Sequence, residues 1–89
     1  MNRIEAAAIL SAELAKYELL DYAELTRMID APKITREVVG PSGTLYFVDV
    51  GVSWDGKPQG DIRVLCNVDD GGVSAFLPLS GDFLKEPKQ

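Results

Sequence analysis

Apolar residues recur along this chain with two different periods, and the change from one to the other divides the sequence near residue 32. Ile4, Ala7, Leu10, Leu14 and Tyr17 return every three or four positions, which lays them along one side of an α-helix, while Glu5, Glu13 and Lys16 fall mostly elsewhere. Asn2 followed by Glu5 has the spacing of a capping box, in which both side chains satisfy backbone donors of the first turn. A helix is expected to begin there. Asp21 and Glu24 repeat the signature, with Leu20 and Leu25 placed as a hydrophobic staple, so a second helix is expected from Tyr22. Its apolar side carries Tyr22, Leu25, Met28 and Ile29, and Pro32 stops it because the proline ring disfavours helical geometry at Ala31. The pair reads as a helical hairpin, with one bent helix as the alternative.

From Lys33 onward the period becomes two. In "TLYFVDVGVSW" (44–54), Tyr46, Val48, Val50, Val52 and Trp54 alternate with Leu45, Phe47, Asp49, Gly51 and Ser53, the pattern of a long strand. "DIRVLCNVD" (61–69) sets Ile62, Val64, Cys66 and Val68 against Arg63, Leu65 and Asn67 in the same way. The turns then fix the pairing. "GPSG" fits a three-residue hairpin loop with Gly43 left-handed, which puts Val38 beside Tyr46, and the longer "DGKPQG" connection lets Trp54 face Ile62 and Val50 face Cys66. Asp70-Gly71 reads as a two-residue type I′ loop, which would pair Val68 with Val73, Cys66 with Ala75 and Val64 with Leu77. The expected fold is therefore α+β, of order ααββββ: an N-terminal helical hairpin packed on one face of a four-stranded antiparallel β-meander. A single domain is expected over 1–89, with the hairpin at 1–31, the meander at 33–79 and a C-terminal tail at 80–89.

Composition agrees with such a domain. Of 89 residues, 46% are hydrophobic and 26% charged, a globular balance in a chain short enough that its core must be used efficiently. The lone cysteine, Cys66, excludes an internal disulfide framework and a multi-cysteine zinc site, and points to a reducing, cytoplasmic setting. No export signal or membrane span is indicated. Nine Lys+Arg against fourteen Asp+Glu give a net charge of −5 with the basic residues scattered, which argues against nucleic acid and favours a basic protein as partner.

Catalytic chemistry finds little to work with. The chain has no histidine, and alternation places Cys66 on the covered face without a base to activate it. Asp69 and Asp70 sit in turn-forming "DDGG", and with Asp49 they lack the spacing of a calcium loop, so neither metal nor cofactor is expected. Asp49, Arg63 and Asn67 share the second sheet face and form a possible polar ligand cluster, whose plain reading is a cross-strand polar ladder. The same face also receives Leu45, Phe47, Leu65 and Phe76, with Gly51 among them, and four large apolar residues there call for a cover. Candidates for that cover are the C-terminal tail through Phe83 or Leu84, a second copy of the chain in a homodimer, or another protein. The function expected from this reading is a small non-catalytic binding or adaptor domain, acting through Leu45, Phe47, Gly51, Leu65 and Phe76 and the acidic loops, with a regulator or immunity-type neutraliser of a basic protein as its sharper form. The alternative is a small-ligand-binding protein or enzyme using the Asp/Asn/Arg cluster.

Overall fold

Two side-chain caps start the two helices. In the computed structural model, which describes residues 1–72 and 78–87, α1 spans Arg3–Glu18 and the Asn2 side chain accepts from the Glu5 amide at 3.0 Å. The Glu5 carboxylate does not return the bond. It accepts instead from the Ser42 amide at 3.0 Å and the Ser42 hydroxyl at 2.7 Å, tying the start of α1 to the first β-hairpin. α2, Tyr22–Ile29, has the complete reciprocal box: the Glu24 amide donates to Asp21 at 2.8 Å and the Asp21 amide to Glu24 at 3.2 Å.

Four strands follow: β1 (Ile34–Val39), β2 (Leu45–Trp54), β3 (Ile62–Asp69) and β4 (Leu79–Lys85). They form one antiparallel sheet in chain order, with β1 and β4 at its edges. α1 lies over β3 and β4, and α2 over β2 and β3, all on one face. The first hairpin has the expected register, with Val38 opposite Tyr46, the Gly40 amide bonded to the Thr44 carbonyl at 2.9 Å and Gly43 at φ +88°. Trp54 faces Ile62 and Val50 faces Cys66, also as expected. Period-two alternation thus sends Tyr46, Val48, Val50, Ile62, Val64, Cys66 and Val68 under the helices, where all are buried with Leu25 of α2. Each such aliphatic side chain removed from water stabilises the fold by about 1.5–3 kcal/mol.

Three expectations are corrected. The side of α1 turned to the sheet is shifted: Leu10 is buried and Leu14 and Tyr17 pack against the core as expected, but Ala6 and Glu13 are buried as well, whereas Ile4 and Ala7 are exposed. Arg36 projects from the covered side of edge strand β1 and bonds Glu13 at 2.7 Å, which gives the buried carboxylate its partner. A helix turned to place Glu13 outward would strand that interaction. Secondly, the fourth strand is Leu79–Lys85, so Val68 faces Leu79, Cys66 faces Gly81 and Val64 faces Phe83 instead of Val73, Ala75 and Leu77. Gly81 explains part of this choice, because a Cβ there would stand 3.1 Å from Leu14 and 3.2 Å from Leu10, so its bare backbone lets α1 approach β4. Residues 73–77, which include Phe76, lie outside the described residues. Thirdly, residues 80–85 are strand and not tail; Lys85 reaches the end of α1, donating to the Glu18 carbonyl at 3.1 Å.

Candidate sheet-face site

Strand pairing arranges the face away from the helices in cross-strand rows. Val39 stands beside Leu45, and in the next row Phe47 is flanked by Glu37 and Asp69. A polar row of Thr35, Asp49, Asn67 and Ser80 follows, then Gly51, Leu65 and Asp82, and finally Ser53, Arg63 and Leu84. The apolar residues therefore form two groups, Leu45 with Phe47 and Leu65 with Leu84, divided by the polar row. Relative exposures of Leu45, Phe47, Leu65 and Leu84 are 39%, 38%, 41% and 46%, against values of zero to one per cent for the strand residues of the opposite face such as Val48 and Val64. Gly51 has no atom within 4 Å of where a Cβ would stand, leaving a dip in the face beside Leu65.

The polar side chains are largely engaged with each other. Asp49 and Asn67 face one another across β2 and β3, but Asp49 is 3.5 Å from the Lys33 ammonium and Asn67 accepts from the Ser80 hydroxyl. Arg63 does not join them. Its guanidinium bonds Asp55 through two nitrogens, at 3.1 and 2.9 Å, and also meets Asp82. Of the expected ligand cluster, then, two members share one cross-strand row, each turned to a different partner, and the third is held at another row. A cavity of about 250 Å³ opens along the β1 side of the face, lined by Thr35, Arg36, Glu37, Phe47 and Asp49; it includes neither Arg63 nor Asn67.

Asp82 belongs to this face and was not among the residues singled out by sequence, whereas Leu84, expected there as part of a folded-back cover, is a strand residue of the face itself. The signal for Leu84 and Asp82 lay in the alternation of 79–85, with Leu79, Gly81 and Phe83 on one side and Ser80, Asp82 and Leu84 on the other.

The remaining candidates have structural partners. The Asp69 carboxylate accepts from the Gly71 amide at 2.8 Å and that of Asp70 from the Gly72 amide at 3.2 Å, so both carboxylates serve chain reversal. Asp70 also lies 3.8 Å from the N-terminal ammonium. Among the described residues no group of three or more His, Cys, Asp or Glu is placed to hold a metal ion, and no described helix is long and apolar enough to cross a membrane. Cys66 is fully buried, and burial, reinforced by the charges of Glu13 and Asp49, pushes its thiol up to about 11. No protein-family model, curated protein or solved structure matches this chain, and the site's own geometry is what the functional reading rests on.

Proposed function

We propose that this chain is a small non-catalytic protein-binding domain whose recognition surface is the outer face of the sheet, and that its partner is basic. The observation that carries the reading is the half-exposed state of Leu45, Phe47, Leu65 and Leu84 on a face that neither helix covers. Large apolar side chains gathered on an antiparallel sheet face are covered by a partner more often than left to water. Phe47 lies between Glu37 and Asp69, an aromatic surface flanked by carboxylates, which suits a lysine or arginine stem laid across the ring with its charge towards the acids. The net charge of −5 speeds association with a basic partner in the same direction. A regulator or neutraliser of a basic protein in the cytoplasm is the role this chemistry fits.

Small-ligand chemistry is the weaker reading, because Arg63 is committed to Asp55 and Asp82 and the nearest cavity holds only Asp49 of the proposed cluster. The test compares capture from native lysate by the wild-type chain and by a Phe47→Asp/Leu65→Asp variant whose helix and sheet content is checked by circular dichroism. A stoichiometric basic protein retained by the wild type, weakened by salt and lost by the variant is the expected result. Equal retention by both chains, or no stoichiometric partner at low salt, overturns the proposal.

A further inference from the structure

Edge strand β1 turns half of its backbone groups away from the sheet. The Gly40 amide bonds the Thr44 carbonyl at 2.9 Å, and bonded and non-bonded positions alternate along an antiparallel ladder. Val38, Arg36 and Ile34 therefore bond to β2, whereas the amides and carbonyls of Val39, Glu37 and Thr35 point to the open side. No described strand lies beyond β1, and both helices lie chiefly over other strands. Thr35, Glu37 and Val39 are all exposed. Donors and acceptors set at ladder spacing fit one form of occupant, a further extended strand.

Charge decides which strand. Charged side chains on an edge ordinarily guard it against pairing, but the cations here are already engaged: Lys33 lies 3.5 Å from Asp49, and Arg36 is held by Glu13 on the other side of the sheet. Glu37 and Asp69 enter none of the ion pairs found among the described residues. They stand on either side of Phe47 in one cross-strand row, so the outer face at this edge carries negative charge that no ion pair compensates. The cavity of about 250 Å³ opens at the same place, with Thr35, Glu37 and Phe47 in its lining. A strand laid along β1 sets one side chain directly opposite Glu37 on this face. A lysine or arginine there pairs with Glu37 and extends its stem into the cavity towards the Phe47 ring.

We propose that the basic partner adds an extended segment to β1 as a new edge strand, bonded to the backbone of Thr35, Glu37 and Val39 and carrying a lysine or arginine opposite Glu37. The inference rests on the reading of the sheet face as a surface for a basic protein, and it adds the form in which that protein arrives. Backbone hydrogen bonds supply the affinity, and Glu37 with Phe47 supplies the choice of sequence.

The probe is a blocked heptapeptide of alternating lysine and valine, titrated to ~5 mM into the isotope-labelled full chain to cover weak binding, with a glutamate and valine peptide as control. Amide exchange is read residue by residue. In the free chain the Thr35, Glu37 and Val39 amides are expected to exchange faster than those of Arg36 and Val38. The lysine peptide is expected to slow those three several-fold, and the glutamate peptide to leave them unchanged. Thr35→Pro removes one outward donor without touching the bonds between β1 and β2, and Glu37→Lys reverses the charge. Each is expected to weaken peptide binding several-fold while circular dichroism shows the fold retained. An equal response to the two peptides, no response at ~5 mM, or a folded Thr35→Pro that binds like the wild type overturns the proposal. So does slowing of the three amides by raising the chain's own concentration, which would assign the edge to a second copy. The two readings fail separately: a lysate protein lost by Phe47→Asp/Leu65→Asp but retained by Thr35→Pro keeps the sheet face as the binding surface and overturns the added strand.

Discussion

Glu13 and Arg36 meet at 2.7 Å between α1 and edge strand β1, the carboxylate buried and the guanidinium half exposed. Lys16 joins from one turn further along α1 at 3.0 Å. Neither helix lies chiefly over β1, and this pair and the Glu5 to Ser42 bonds add to the packing of Ile34 and Val38 in fastening the first hairpin to the helical layer. Burial by itself pushes the Glu13 carboxyl up, but the hydrogen bonds and charges of Arg36 and Lys16 outweigh it and leave the pKa below the ordinary value.

A group whose folded pKa is depressed stabilises the fold above its unfolded pKa, near 4.3 for glutamate, and loses that contribution as pH falls through the lower folded value. Thermal unfolding is therefore expected to show Glu13→Gln less stable than the wild type at pH 6, with the gap closing towards pH 3. Arg36→Ala is expected to cost about 1–2 kcal/mol at pH 6, below the usual figure for a broken buried pair because Lys16 remains and water reaches the site through the exposed guanidinium side. In a domain of this size that is a fall in Tm of roughly 4–16 °C. A Glu13→Gln deficit that is the same at both pH values would show that the carboxylate's charge is not what the fold uses.

Cys66 gives the second expectation. With its thiol pushed to about 11 and its side chain fully buried, the native protein carries about a hundredfold less thiolate at pH 8 than an ordinary cysteine, and presents none of it to solvent. Labelling by a thiol-reactive disulfide reagent is expected to be slow in native buffer, to accelerate steeply in denaturant, and to track the unfolded fraction. Fast labelling of the folded chain would place a local opening at β3, the strand at the centre of the core.

How far the sequence disclosed this structure follows from which forces were local. Helix caps, the Gly43 turn and the β2 and β3 registers depend on neighbours in sequence, and "TLYFVDVGVSW" could pair in only one way without turning valines to water. The burial of Glu13 was hidden because its partner Arg36 lies twenty-three residues away, and a carboxylate in a helix reads as solvent-facing until its partner is known. The fourth strand was misplaced because "VSAFL" and "LSGDFLK" both alternate, and a strong local turn signal at Asp70-Gly71 favoured the nearer one. What distinguishes "LSGDFLK" is Gly81 beneath Leu10 and Leu14, a packing requirement between elements distant in the chain. Of the candidate site, Leu45, Phe47, Gly51 and Leu65 were legible from alternation alone, whereas Leu84 reached the face only through the corrected strand.

Gly71 adopts φ +83°, and a Cβ added there would run into the edge of the Phe47 ring, 2.8 Å from its nearest carbon. Gly71→Ala is therefore penalised twice, by about 1 kcal/mol for the left-handed backbone and further for displacing Phe47. A stability loss of about 1–2 kcal/mol in denaturant unfolding is expected. Combining Gly71→Ala with Phe47→Ala removes the steric component but not the backbone one, so the two changes are expected to be less than additive. Strict additivity would mean that the ring and the loop do not touch.

The Tyr22 hydroxyl donates to the Gly60 carbonyl at 2.7 Å, across thirty-eight residues of sequence, while its ring lies tilted at 6.3 Å from Trp54. This one side chain joins the start of α2 to the loop between β2 and β3. Tyr22→Phe deletes the hydroxyl and leaves the Gly60 carbonyl to water, so a loss of about 0.5–1.5 kcal/mol is expected. Tyr22→Ala also removes the ring contact and is expected to cost about 3 kcal/mol or more. The ring contact has its own readout, since Trp54 is the chain's single tryptophan and its fluorescence reports the surroundings of its indole, of which the Tyr22 ring is part. Its emission should remain near wild type in Tyr22→Phe and shift to longer wavelength in Tyr22→Ala, at temperatures where circular dichroism shows both variants folded. If emission moved equally in the two variants, the hydroxyl and not the ring would be what shields Trp54, and α2 would be held to the loop by the hydrogen bond alone.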